Sequence, residues 1–357
     1  LGVAARGVTA YVFRQILKDD VLARLLHPAI YRAYKDTTVF LDVPPTAASV
    51  SLEFAHAAVR IGHQMLRPEY KFNALKSSLH DLEEVFAFKS LGLTVPPDKI
   101  VYPLKPKWVI DWSLFFDRCN DATNSENFNW STKIGLHGTF FVGNNDSFPG
   151  PYRGNDFQKR PAGLVFRDFV RGSASRLNSL GALAEAIGQA VVETKPEIAD
   201  ALKAFLDDEN RKNFLVETLS WLDENTSVPI NPTDTNDSKE QVINRIAENP
   251  PILLYLLAES QFDKYEGGKL GVVGSLVFAE TFFPAINGRS TETEKRKCSW
   301  EQNVKSWAVS VFESEDKIPR TMKDFLEIIE RDNPEALRIP GVPSQCEPPE
   351  NQRDQLS

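Results

Sequence analysis

The 357-residue sequence has few of the residues that build covalent or metal-held frameworks. Its three cysteines, Cys119, Cys298 and Cys346, are odd in number and widely spaced, so they predict neither a disulfide framework nor a zinc site. It also has no excess of positive charge, because the net charge of −8 argues against binding to a phosphate backbone. No apolar run reaches the roughly 18 residues of a membrane span. The sequence therefore predicts a globular protein without a membrane span or a nucleic-acid partner.

Four asparagines lie in Asn-x-Ser/Thr sequences: Asn129, Asn145, Asn225 and Asn236. Such sequences are common by chance and matter only in a secreted protein. The localisation of the protein therefore stays open.

Helical periodicity covers most of the chain and predicts a mainly α fold. A long helix is predicted over residues 3–26, and it ends at His27-Pro28 because the residue before a proline disfavours helical backbone. Ser238 and Gln241 have the spacing of a capping box, which marks another helix start. Further helices are predicted around Leu79–Phe88, from Ser179, from Pro196, around Phe214–Leu222, over Ile252–Leu257 and over Thr321–Arg331.

Three stretches lack such a pattern. Residues 37–50 predict a loop, residues 118–160 a long surface excursion rich in Asn, Asp, Gly and Ser, and residues 288–300 a charged loop. From Pro340 the chain has the composition of a disordered segment. We find no repeat and no clear break, so we expect one helical domain over residues 1–331 and a disordered tail over residues 332–357.

The stretch Ser51–Asn73 carries the main functional argument. Its apolar residues recur at spacings of three and four and predict one helix with one buried face. The residues of that face are Leu52, Ala55, Val59, Gly62 and Leu66. Ser51 is suited to cap the helix and Pro68 to end it. Gly62 leaves space beside His63 for a flat group to approach.

Two histidines of this stretch, His56 and His63, are seven residues apart, or about 10 Å along a helix axis. That distance is too long for one shared ion, so a zinc pair is excluded. On the residues alone, His63 is either a core histidine bonded to a carbonyl or the ligand of a metal-bearing cofactor. Arg60, about one turn earlier, could hold an anion beside such a cofactor.

A glycine-rich segment follows at residues 267–275, with Gly268, Gly271 and Gly274 three residues apart. It matches neither the dinucleotide-binding pattern nor a Walker loop, because no Gly-Lys-Ser/Thr is present. It predicts a tight turn that enters a helix over Val272–Phe283, whose small residues permit close packing.

Three segments, in this order, resemble the animal-type haem peroxidase family within the peroxidase–cyclooxygenase group. The first runs from Glu53-Phe54 to Arg60-Ile61-Gly62-His63 and is similar to the family's proximal-histidine helix. The second, FRDFVRG at 166–172, resembles the stretch in which the family usually places an asparagine. The third, LGVVGS at 270–275 followed by Ala279-Glu280-Thr281, resembles the family's LGPVGS…AET segment. The resemblance spans roughly residues 1–285 and implies a large single-domain helical haem peroxidase-like fold.

The resemblance implies roles for three residues. His63 falls on the haem iron ligand, and Asp168 falls on the asparagine that bonds the far nitrogen of that histidine. A carboxylate there would push the imidazole toward imidazolate and lower the reduction potential of the iron. Asp168 can equally be a surface residue or pair with Arg167 or Arg171. Arg60 resembles an arginine near a haem propionate, and an ordinary salt bridge is its alternative.

No segment of this chain matches the distal half of a peroxidase site. Peroxidases of this kind cleave the O–O bond with a distal histidine and arginine, which in the family lie upstream of the segment matching residue 1, together with a calcium loop. The chain starts without methionine and with helical periodicity already present at Val8, so we expect missing upstream sequence. His27, at a helix end, His80, on an exposed amphipathic stretch, and His137 fit no distal motif. We expect this half-site to bind haem weakly, with little turnover.

The complete protein is expected to oxidise a small reducing substrate with hydrogen peroxide, using haem, with calcium in the upstream part. A fatty-acid oxygenase of the same superfamily is disfavoured, because those enzymes carry a radical-forming tyrosine where this chain has Arg60. A non-catalytic relative that keeps the fold as an interaction module is the third alternative.

Overall fold

A computed structural model describes most, but not all, of the chain. The described residues are 2–37, 50–67, 69–81, 106–116, 128–135, 168, 171–172, 174–175, 177, 180–225, 237–262, 265–287, 294–333 and 337. Within these ranges the chain is mostly helical with one small sheet, which confirms the mainly α class. None of the helices in these ranges is long and apolar enough to cross a membrane.

The α-helices are numbered here in chain order. They are α1 (Gly2–Ile16), α2 (Ala23–Leu25), α3 (Pro28–Tyr34), α4 (Leu52–His56), α5 (Leu180–Thr194), α6 (Ala199–Leu206), α7 (Asp208–Asn225), α8 (Lys239–Glu248), α9 (Ile252–Phe262), α10 (Val272–Asn287), α11 (Glu294–Phe312) and α12 (Met322–Asp332). A π-helical stretch (Leu17–Leu22) joins α1 to α2. Turns of 3₁₀-helix lie at Ala58–Met65, Lys76–Ser78, Pro106–Trp108, Trp112–Leu114, Pro196–Ile198 and Glu315–Lys317.

The chain forms two compact units. The first contains residues 1–65, 133–138 and 164–318, and the second contains residues 66–132, 139–163 and 319–357. In the first unit, α10 packs against α3, α4, α6 and α9. We predicted one domain over residues 1–331 and a tail over residues 332–357, and both stay predictions. Residues 334–336 and 338–357 of that tail lie outside the described ranges.

The first predicted helix is confirmed, and a second helix, which the pattern did not predict, begins directly after it. Helical backbone runs from Gly2 to Leu25, and Leu26 turns to an extended conformation (φ −82°, ψ 152°). His27 Nδ1 then accepts a hydrogen bond from Ala29 N, 3.2 Å away. Pro28 is the first residue of α3, a position that suits its fixed φ. The His27-Pro28 pair therefore ends one helix and begins another.

The prediction of one continuous α-helix that begins after Ser51 and ends at Pro68 is wrong. Ser51 Oγ does accept a hydrogen bond from Phe54 N at 3.1 Å, so the predicted cap is confirmed. However, α4 ends at His56, and Ala57 leaves helical geometry (φ −127°, ψ −69°). The chain continues as the 3₁₀-helix and then as strand β1 (Glu69–Lys71).

The predicted buried face of this stretch is also wrong. Leu52 is 57% exposed and Val59 is 41% exposed, whereas Ala58, Ile61 and Gln64 are buried. The buried residues are three apart because a 3₁₀-helix has three residues per turn. A helix of 3.6 residues per turn would have buried a different set.

The second unit contains a two-stranded antiparallel sheet. Strand β1 pairs with β2 (Leu79–Asp81). The helix predicted around Leu79–Phe88 is therefore wrong over its first three residues. Residues 82–88 lie outside the described ranges. His80, predicted to be exposed, is 1% exposed. Its ring stacks on Trp108 with centroids 3.8 Å apart, and its Nε2 lies 3.1 Å from Lys107 O. A hydrogen bond to a carbonyl and an aromatic stack make the burial of this imidazole possible.

Predictions for the remaining segments have mixed outcomes. The charged loop predicted over residues 288–300 is wrong from Glu294, where α11 begins, whereas residues 288–293 are outside the described ranges. The helix over Thr321–Arg331 is confirmed as α12, and both predicted capping residues of α8, Ser238 and Gln241, form their box. Most of the predicted loop at 37–50 and of the excursion at 118–160, including His137, lies outside the described ranges.

Candidate functional site

The site is built around an imidazole that contacts a buried carboxylate. His63 Nδ1 lies 2.6 Å from Asp168 Oδ2. The Asp168 side chain is 5% exposed and that of His63 is 29% exposed. An ionised carboxylate only accepts hydrogen bonds, so the contact requires a proton on Nδ1; in the neutral form of the ring the lone pair then lies on Nε2. The pair thus has the chemistry of an oriented metal ligand.

Tertiary packing brings the two side chains together across 105 residues. His63 lies in the 3₁₀-helix, and Asp168, Arg171 and Gly172 each have helical backbone. A Cβ atom at Gly172 would lie 3.9 Å from His56 O and 3.6 Å from Leu177 Cδ1. The backbone after Asp168 therefore approaches the end of α4 closely.

One ridge of the 3₁₀-helix anchors His63 in the core. Ala58 is fully buried, Ile61 is 1% exposed, and both belong to the hydrophobic core of the first unit. Phe54, on α4, packs edge-on against Phe278 of α10, with ring centroids 5.2 Å apart. The backbone that carries the imidazole is thus held by apolar contacts on its inner side.

The other two ridges of the 3₁₀-helix are less buried than the first. Val59 and Gly62 form an exposed apolar ridge, and Arg60 and His63 form the ridge beside it. A Cβ atom added at Gly62 would meet nothing within 4 Å. An exposed apolar surface with open space beside the His63 imidazole could accept a flat, apolar group.

Arg60 carries a cationic group without a counter-ion in the described part of the chain. Its Nε is buried without a hydrogen-bond partner there, and it forms no ion pair with any described carboxylate. The salt bridge considered as the alternative role of Arg60 is therefore absent among these residues. A buried charged donor without an acceptor is costly, so Arg60 is suited to bind an anionic group.

His56 is a residue that the sequence argument did not assign to the site. Its Nδ1 is also buried without a hydrogen-bond partner in the described ranges. Its spacing from Arg60 gives no signal, because the rule that residues four apart share a side holds within an α-helix, and α4 ends at His56.

The alternative pairings of Asp168 have separate outcomes. Arg171 is exposed and forms no ion pair with Asp168 in the described structure, and Arg167 lies outside the described residues. Asp168 is not a surface residue, because only 4% of it is exposed.

The glycine-rich segment has a structural role. A Cβ atom at Gly271 would lie 2.2 Å from Glu259 Cγ, so the turn needs a glycine to approach α9. Glu259 accepts hydrogen bonds from Val273 N (3.0 Å) and Gly274 N (3.2 Å) at the start of α10. Ser275 Oγ accepts one from His27 N at 2.7 Å. The predicted tight turn and close packing are confirmed.

The described residues contain no group of three or more His, Cys, Asp or Glu side chains that could hold a metal ion. This finding concerns ions held by protein clusters, whereas haem is commonly held by one axial histidine.

Fold and site together define a mainly α protein with a buried carboxylate behind a partly exposed histidine. No protein-family model, no curated protein and no solved structure matches the chain.

Proposed function

We propose that this chain carries the proximal part of a haem-dependent peroxidase, with His63 Nε2 as the axial ligand of the iron. The observation that supports the proposal most is the 2.6 Å contact between His63 Nδ1 and the buried Asp168 carboxylate. Histidines that ligate metals usually bond a carboxylate or carbonyl through the other ring nitrogen, which fixes the tautomer and the ring orientation. The resemblance of three segments to haem peroxidases led to the same two residues.

The side chains around His63 fit a haem. Val59 and the open space at Gly62 offer an apolar surface beside the imidazole, and 29% of the His63 side chain is exposed. Arg60 supplies a cation for an acidic side group of the macrocycle, and the buried Nε of Arg60 has no hydrogen-bond partner in the described ranges. The open space at Gly62 and the cation of Arg60 therefore support a planar, mostly apolar dicarboxylate as the ligand.

In the proposed site, several residues of the chain would each have a separate role in holding the haem. Haem supplies the redox-active iron that reacts with peroxide. Asp168 accepts the hydrogen bond from His63 Nδ1 and so directs Nε2 outward, while Ile61 and Ala58 hold the backbone in the core. Arg60 orients the planar group by pairing with its carboxylate. The presence of Arg60 three residues before His63 also argues against the fatty-acid oxygenase alternative.

The ligand assignment can be tested by titrating the protein with haemin and recording the Soret spectrum. We expect a saturable spectral shift in the wild type and its loss in His63→Ala, because the axial nitrogen is removed. Asp168→Ala should weaken binding by about 10- to 100-fold, since the imidazole loses the group that orients it.

A pair of matched substitutions separates the apolar surface from general effects on folding. Gly62→Leu fills space that is open in the folded chain, so it should leave stability nearly unchanged and still block haemin. Ala186→Leu adds a similar side chain at an exposed position of α5 and should bind haemin like the wild type. Equal spectra in the wild type and His63→Ala would contradict the proposal.

Activity requires a second measurement. We expect peroxide-dependent oxidation of a phenol by the gene product that includes any sequence upstream of Leu1, and its loss in His63→Ala. Haemin binding through His63 without turnover in that protein would instead support the non-catalytic module.

A further inference from the structure

We propose that Tyr34 is an internal one-electron donor to the haem, with the carboxylate of Glu280 as the acceptor of its proton. This inference rests on the proposed function, because the reaction of haem with peroxide supplies the oxidant. Neither residue belongs to the site around His63, and no step proposed above uses them.

The burial of Tyr34 limits the chemistry that its phenol can take part in. Tyr34 is fully buried at the end of α3, so no substrate molecule can contact its ring. Its hydroxyl donates a hydrogen bond to Glu280 Oε1 of α10. A buried polar group needs such a partner to compensate for the lost water, and here the partner is also a base. Electrons, in contrast to substrates, can cross the packed interior of a protein. Oxidation from a distance is therefore the chemistry available to this phenol.

The contact with Glu280 lets the electron and the proton of Tyr34 leave together. A phenol that has lost one electron is a very strong acid, and a base within hydrogen-bond distance accepts its proton. Lys195 Nζ lies 4.7 Å from the centre of the Tyr34 ring, and its positive charge disfavours a second positive charge there. The products are thus a neutral tyrosyl radical and a protonated Glu280, and one electron passes to the haem.

Packed aromatic side chains connect Tyr34 to the element that precedes His63. The ring centroid of Tyr34 lies 6.2 Å from that of Phe283 on α10. The neighbouring Phe282 has its centroid 5.6 Å from that of Phe54 on α4. The same helix, α10, packs against α3 and against the 3₁₀-helix that carries His63. These contacts all lie within the first compact unit, so an electron can travel between the two sites through one packed core.

The electrons and protons balance over one turnover. Reduction of hydrogen peroxide to two water molecules takes two electrons and two protons. Tyr34 supplies one electron, a substrate at the haem supplies the other, and solvent supplies both protons. A second phenol substrate then returns one electron to the tyrosyl radical and releases its own proton to solvent, while Glu280 returns its proton to Tyr34. Tyr34 therefore stores one oxidising equivalent until a substrate is available.

The test is electron paramagnetic resonance of the haem-loaded protein, frozen after addition of hydrogen peroxide without a reducing substrate. We expect a tyrosyl radical in the wild type and its loss in Tyr34→Phe. The matched control is Tyr255→Phe, which removes a tyrosine that is 4% exposed in the same core and should keep the signal. Glu280→Gln should lower the radical yield by about tenfold or more, because an amide does not take up the proton. A Soret titration establishes that each variant still binds haemin.

A second readout covers the case in which Tyr34→Phe does not fold. High-field spectra of the wild-type radical report on a hydrogen bond to the phenoxyl oxygen, because such a bond lowers the largest g value. We expect a lower value than that of a tyrosyl radical without a hydrogen bond, since protonated Glu280 donates to this oxygen. A value equal to that of a radical without a hydrogen bond would overturn the inference.

The outcomes separate the two proposals. A wild type that does not bind haemin, or binding that His63→Ala leaves unchanged, contradicts the proposed function and with it the source of the oxidant. Binding through His63 without a tyrosyl radical, or with the same radical in Tyr34→Phe, contradicts only the role of Tyr34. A radical that is lost in Tyr34→Phe and kept in Tyr255→Phe supports both.

Discussion

At the scale of single residues, the buried hydroxyl group of Tyr34 allows a test of how the core is packed. Tyr34 is fully buried, and its hydroxyl donates a hydrogen bond to Glu280 Oε1 of α10. Lys195 Nζ lies 4.7 Å from the centre of the Tyr34 ring and donates a hydrogen bond to Thr37 Oγ1 at 2.7 Å. Burial, and then the Glu280 carboxylate, raise the pKa of Tyr34. Burial lowers the pKa of Lys195.

The raised pKa of Tyr34 predicts a pH dependence of stability. Above about pH 10 the tyrosine ionises in the unfolded chain but keeps its proton in the folded one. The folded state then binds more protons, so its stability is fully present below that pH and falls as the pH rises. We expect the unfolding free energy of the wild type to decline by ~1.4 kcal/mol per pH unit more steeply than that of Tyr34→Phe.

Denaturant unfolding at roughly pH 9 to pH 11 measures this difference. Tyr34→Phe keeps Tyr255, whose pKa burial also raises, so the contribution of Tyr255 to the slope cancels in the comparison. At neutral pH the variant should be ~1–3 kcal/mol less stable, because Glu280 loses a hydrogen-bond donor. Parallel curves for the two proteins would show that Tyr34 titrates normally.

At the scale of elements, the start of α10 depends on one glycine. Glu259 of α9 accepts hydrogen bonds from Val273 N and Gly274 N, where the first amides of α10 have no partner within the helix. A carboxylate at this end also interacts favourably with the helix dipole. Gly271 leaves the space in which this carboxylate lies.

Two substitutions of neighbouring glycines should therefore have opposite effects on stability. In Gly271→Ala the new methyl group would overlap Glu259, with 2.2 Å to Cγ, and displace the carboxylate from the helix. We expect a loss of about 1–3 kcal/mol in the free energy of unfolding. In Gly274→Ala the nearest atom is Leu270 Cδ2 at 3.5 Å, an ordinary contact. There the higher helix propensity of alanine should stabilise by up to ~1 kcal/mol.

Thermal or denaturant unfolding of both variants provides the measurement. The Glu259→Gln variant keeps one acceptor oxygen but loses the charge and the second acceptor, so its stability should lie between those of the wild type and Gly271→Ala. Equal stability of Gly271→Ala and Gly274→Ala would mean that Glu259 relaxes without cost.

At the scale of the whole molecule, the two compact units differ in how the described residues are organised. The first has a continuous apolar core to which α9 and α10 contribute many buried residues. Fully buried examples are Leu256, Leu257, Val273, Ala279 and Phe283. The second unit is organised around the small sheet and an aromatic group that includes Phe72, His80 and Trp108.

Amide hydrogen exchange should reflect how deeply each helix of the first unit is buried. Amides of α9 and α10 should exchange slowest, because only a large opening exposes helices buried on most sides. The last turns of α11, where Trp307 is 38% exposed and Val311 is 63% exposed, should exchange faster. Uniform protection across these three helices would contradict the placement of the core.

Much of the helical architecture could be predicted from sequence because its signals are local. Caps such as Ser51, Ser238 and Thr321 act on amides within one turn of themselves, and the structure forms all three. Of the candidate site, the resemblance identified His63 and Asp168 together, although no periodicity links positions 105 residues apart. The buried Nδ1 of His56 was missed, because its surroundings come from packing.

The sequence by itself determined the mainly α class, the ends of several helices and the residue types of the site, since each follows from residues close to one another in the chain. Only the tertiary structure decided that α4 stops at His56, that His80 is buried against Trp108, and that Asp168 reaches His63. These outcomes depend on which distant surfaces meet, and the free energy of burying those surfaces outweighs the local preferences of a short segment.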